Sequence, residues 1–124
     1  MYYEKIKKVP IYRGYWGIVI TDERKTLRHK RGTKISKGNE VYAHTHYGEY
    51  KEYGCILFIF NPNNSFTKLG HDSISHEIIH GVDMVFELKD MKWDLVDDEP
   101  AAYLAGYFAK HIYKFFKEQK IEIK

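Results

Sequence analysis

The segment HDSISHEIIHGVD, residues 71–83, carries three histidines and a glutamate within a run whose apolar residues recur at helical spacing. At about 100° per residue, His76 and His80 fall on one helix face, one turn apart, where two imidazoles can reach a single tetrahedral ion. Glu77 lies a quarter-turn round the helix, placed to reach a metal-bound water rather than the metal itself. That is the physical content of H-E-x-x-H: two ligands, and a carboxylate that accepts a proton from water. His71 precedes His76 by five residues, falls off this face and reads as a helix-start residue.

A catalytic zinc site commonly takes three protein ligands and leaves one position open. If the third ligand followed in the pattern H-E-x-x-H-x-x-G-x-x-H, positions 83 and 86 would be Gly and His. They are Asp83 and Phe86, which excludes that class. The other arrangement draws a glutamate from the next helix, and Glu99, nineteen residues after His80, stands at the start of one. Ala102 and Gly106 follow on nearly the same face, small enough to let two helices approach closely. A His, His, Glu set suits Zn2+, as it does other divalent ions.

Other reactive side chains carry less. His44 and His46 alternate with Ala and Thr on a strand pattern and read as satisfied or exposed histidines. Cys55, the single cysteine, sits in the apolar run GCILFIF and reads as a buried strand residue. It allows no intrachain disulfide, which fits a reducing compartment. The stretch DERKTLRHKRGTKISKGNE concentrates positive charge at residues 24–37 and is the place where a nucleic acid backbone would be met. It lacks interleaved stacking aromatics, so a solvated rim is the better reading.

The elements that must position these residues divide the chain of 124 residues into two halves, read as one domain over 1–124. The first half reads as strands: VPIYRG, WGIVIT, EVYAHTHY and GCILFIF, the last closed by the turn signal NPNN. The basic stretch between them reads as an extended connection rather than a core element. The second half reads as two helices, one from about Thr67 or Asp72 to Lys89, the other from near Asp97 to Lys117, joined by DMKWDLV. Pro100 suits only a first turn. The expected architecture is α+β, a small, mostly antiparallel sheet followed by two packed helices. The net charge of +3 names no partner. No apolar run is long enough for a membrane span, and MYYEKIKKVP has no apolar run behind its lysines, so a cytoplasmic protein is expected.

HEIIHGVD followed by DDEPAAYLAGYF resembles the minimal gluzincin pattern, H-E-x-x-H and then E-x-x-A on the next helix. It is similar to the short zincin-like metallopeptidases of tailed bacteriophages and, more distantly, to the peptidase domain of phage-repressor-cleaving regulators. The resemblance implies a zincin-like fold with His76, His80 and Glu99 as zinc ligands and Glu77 as general base. It also implies a protein or peptide substrate lying along a sheet edge, supplied by YAHTHY or CILFIF, and, for a phage protein, residence in the host cytoplasm. The larger members carry a carboxylate four residues after the ligand glutamate, where this chain has Tyr103. Asp83, one turn beyond His80, is then the candidate for orienting a histidine, and Tyr103 a candidate donor to a developing oxyanion. The competing expectation is a zinc-bound module of the same fold that binds a host or partner protein without cutting it.

Overall fold

The computed structural model describes residues 1–33, 43–52, 54–63 and 69–123. Among these, the elements in chain order are β1 (Tyr2–Lys8), β2 (Tyr15–Thr21), α1 (Arg24–Arg31), β3 (Ala43–Gly48), β4 (Cys55–Phe60), α2 (His71–Leu88) and α3 (Glu99–Glu118). The chain is α+β. Its sheet has the order β1-β2-β4-β3 and is mixed: β1–β2 and β4–β3 are antiparallel, and β2–β4 is parallel.

β2 and β4 occupy the centre, and their residues are buried almost throughout. That is why both read as continuous apolar runs rather than alternating ones. On one face Trp16, Ile18, Ile20, Ile56, Phe58 and Phe60 meet the apolar stripes of α2 and α3. On the other, Val19, Cys55, Leu57 and Ile59 pack with Leu27 of α1. The basic stretch is therefore not merely an extended rim: residues 24–31 form a helix that covers the second face through one fully buried leucine. Lys34 and Lys37 of that stretch lie outside the described residues. Arg31 fixes the helix end by donating to both Glu4 carboxylate oxygens on β1, each at 2.6 Å.

The first strand also differs from expectation. β1 covers residues 2–8, and VPIYRG is the turn that follows it. Pro10 has no N–H for a ladder, Ile11 takes a left-handed φ of 68° and Gly14 one of 115°, and Val9 N–H donates back to Gly14 O at 2.9 Å. The two long helices stand close to their expected limits. Pro100 falls in the first turn of α3, and the N-cap residue is Asp98. α2 rests on β3 and β4 as well as on α3. It approaches the sheet closely because Gly81 lies over Phe58, where a Cβ would overlap the ring.

Candidate metal centre

α2 buries Ile74, Ile78, Val82, Val85 and Phe86 and turns its next face toward the edge of the sheet. On that boundary His76 and His80 are exposed, while Glu77, beside them, is buried. The His76 side chain is 69% exposed and that of Glu77 only 10%. The Nε2 atoms of His76 and His80 stand 3.1 Å apart. Two zinc–nitrogen bonds of about 2.0–2.1 Å at a tetrahedral angle hold their nitrogens about 3.3 Å apart, so the pair is already at the separation a shared ion requires. One ligand atom from each of His76, Glu77 and His80 lies within 4.8 Å of the others. Two imidazoles and a carboxylate are donors suited to a divalent transition metal.

Glu77 is held from the sheet. Thr45 on β3 places its hydroxyl 2.9 Å from Glu77 Oε1 and 3.2 Å from the Glu77 carbonyl oxygen. Among the described residues β3 pairs only with β4, which puts it at the edge of the described sheet, and Thr45 lies opposite Phe58 on the helix-facing side. Of the two expected edges, YAHTHY supplies this one from residue 43 on, whereas CILFIF is central; Tyr42 lies outside the described residues. A groove of about 500 Å³ runs between β3 and α2, lined in part by Thr45, His76, Glu77, His80, Asp83 and Glu87. Thr45 was not singled out from sequence. The signal was the strand alternation in AHTHY, which sends Thr45 to the face opposite His44 and His46.

Glu99 is not brought to the histidines. The His71 ring stacks on Tyr113, with Nδ1 2.9 Å from the phenol oxygen, which places the start of α2 against the C-terminal half of α3. Among the described residues, the groups clustered closely enough to share an ion are His76, Glu77 and His80, and Glu99 is not one of them. Leu104 and Phe108 of α3 are buried in the core. Glu99 is exposed, with Ala102, Tyr103 and Gly106, on the outer side of α3. A Cβ on Gly106 would have nothing within 4 Å. The small residues expected to seat one helix on the other therefore face away from it, and Tyr103 does not line the groove. Asp83 does, though it is not one of the three clustered groups.

His44 and His46 stack on each other with ring centroids 4.3 Å apart. Burial, reinforced by His46, pulls the His44 pKa below its usual value, while the Glu77 charge opposes this. Burial pushes the Cys55 thiol up to about 11, so it stays protonated at neutral pH, as a core residue should. No helix among the described residues is long and apolar enough to cross a membrane. Comparison of the chain with protein-family models, with curated proteins and with solved structures gives no match.

Proposed function

We propose that the protein is a zinc-dependent peptidase of zincin-like architecture, in which His76 and His80 hold the metal and Glu77 is the general base. The observation that carries this reading is the Thr45–Glu77 hydrogen bond: it ties a buried carboxylate beside the histidine pair to β3, the edge of the sheet among the described residues. A divalent metal bound there supplies Lewis acidity and brings the pKa of a coordinated water toward neutrality.

The chain's own residues do the rest. The β3 edge, which no other described strand covers, would receive an extended peptide and align a scissile carbonyl along the groove. Thr45 donates to one carboxylate oxygen of Glu77 and leaves the other free to take a proton from the attacking water. Glu77 then returns that proton to the leaving amine. Glu99, which the gluzincin resemblance names as third ligand, has no part in this reading. Zinc-loaded wild type should hydrolyse peptides that Glu77→Gln protein, still carrying zinc, leaves intact. Equal activity in the two would remove the base from the mechanism, and zinc-bound protein that cleaves no peptide would favour the non-cleaving binding module. Nucleic-acid binding through residues 24–37 is the weaker alternative, because Leu27 and Arg31 are committed to packing and pairing there.

A further inference from the structure

Beyond the histidines, the α2 wall of the groove carries two carboxylates, Asp83 and Glu87. Asp83 and Glu87 continue the line of His76 and His80 at the next two helical turns and reach the same groove. Both stand where helix physics opposes them. They form an i, i+4 pair of like charges, and Glu87 sits in the last turn of α2, where the helix dipole repels a carboxylate. The last turn offers no basic residue in compensation. Among the described residues no salt bridge engages either one. Local rules broken without internal compensation are expected at functional or strained sites.

The second observation is the strand opposite. Among the described residues β3 is an edge, and its helix-facing side chains are Ala43, Thr45 and Tyr47. Tyr47 stands near Glu87, whose charge adds to burial in raising the tyrosine pKa. Half-buried Met84 lies in the groove between the two carboxylates along the helix. A strand added to β3 would send alternate side chains toward α2. A long aliphatic stem can lie on Met84 while its charged head rises between Asp83 and Glu87.

We propose that the groove selects extended peptides carrying a lysine or arginine, seated between Asp83 and Glu87 on the Gly48 side of the cleaved bond. This rests on the peptidase reading above. Asp83 and Glu87 lie six and ten residues beyond Glu77, about 9 and 15 Å along the helix, so the basic side chain sits roughly three or four residues from the bond.

Binding is measured on zinc-loaded Glu77→Gln protein, so that cleavage plays no part. The probes are fluorescent heptapeptide pools of Ala, Val, Ser and Phe with Lys, Arg, norleucine or Glu fixed at each position in turn. Lys and Arg pools should bind about tenfold tighter than norleucine pools at one position, the difference expected of a charge-assisted contact. Asp83→Lys with Glu87→Lys should transfer the preference to Glu pools. The uncharged pair Asp83→Asn with Glu87→Gln, at exposed positions that leave the fold intact, should abolish it. Equal binding of all pools, no binding of any, or a preference that survives the charge reversal overturns the proposal. A lysine preference without wild-type cleavage would leave this subsite standing and sink the peptidase reading; cleavage indifferent to charge would do the reverse.

Discussion

The Thr45 hydroxyl on the edge strand lies within hydrogen-bond reach of both the Glu77 carboxylate, at 2.9 Å, and the Glu77 carbonyl, at 3.2 Å. One side chain thus ties the sheet edge to the turn of α2 that bears both histidines. Replacing it with valine keeps the shape and removes the donor. Thr45→Val should bind zinc as wild type does and lose about 10–100-fold in kcat, the usual cost of removing a residue that orients a metal-site group. Thr45→Ser should retain most of the rate. Kinetics on protein of matched zinc content decide it, and an unimpaired valine variant would show that Glu77 needs no support from β3.

The resemblance to gluzincins names Glu99 as a ligand, whereas the clustered groups are His76, Glu77 and His80, and metal content separates the two. His76→Ala and His80→Ala should each abolish stoichiometric zinc in untagged protein, because they remove one of two imidazoles already 3.1 Å apart. Glu99→Gln should leave zinc content and affinity unchanged, since Glu99 sits exposed at the outer start of α3. Elemental analysis and a competition titration against a chelator read both. Loss of zinc from Glu99→Gln would mean that α3 repositions when metal binds.

The histidine pair was legible because its geometry is local. Helical spacing of Ile74, Ile78, Val82 and Val85 places His76 and His80 together whatever the rest of the chain does. The third ligand is a matter of tertiary register, and a separation of nineteen residues says nothing about where two helices overlap. The His71–Tyr113 contact is one point of that overlap, and neither residue announced it. α1 was hidden for another reason: RKTLRHKR has one apolar residue, Leu27, and so no stripe. The continuous apolar runs WGIVIT and CILFIF did carry the hint, since a strand buried on both faces requires a second cover.

The Glu4–Arg31 pair predicts a stability change with pH. Burial alone would raise the Glu4 pKa, but the hydrogen bonds from Arg31 and from Tyr2 outweigh it and hold it below the ordinary value. A carboxyl with a lowered folded pKa stabilises fully above its unfolded value and loses that contribution as pH falls through the folded one. Urea midpoints should therefore decline below the ordinary glutamate range, in part through this group. Glu4→Gln should lower stability at pH 7 by about 1.5–3 kcal/mol, the scale of hydrogen bonds to a charged group, and should flatten the acid limb. A variant curve parallel to wild type at every pH would show that the pair contributes nothing to the linkage.

Two glycines on the long helices should respond oppositely to alanine. Gly81 and Gly106 both lie in helix interiors, where alanine alone is favoured by about 0.5–1 kcal/mol. Gly106 faces open solvent, so Gly106→Ala should realise that gain as a raised melting temperature. At Gly81 a Cβ would overlap the Phe58 ring, which Trp16 and Phe108 hold on its other sides with centroids 5.9 and 5.0 Å away. The ring cannot yield, so α2 must lift from β4, at a cost of about 1–3 kcal/mol typical of overpacking. Lifting α2 also draws Glu77 away from Thr45, because Gly81 lies one turn beyond Glu77 on the sheet-facing side. Gly81→Ala should therefore lower both the melting temperature and kcat while the histidine pair, local to one helix, still binds zinc. Stabilisation by Gly81→Ala comparable to that by Gly106→Ala would mean that α2 does not rest on Phe58 as closely as the structure places it.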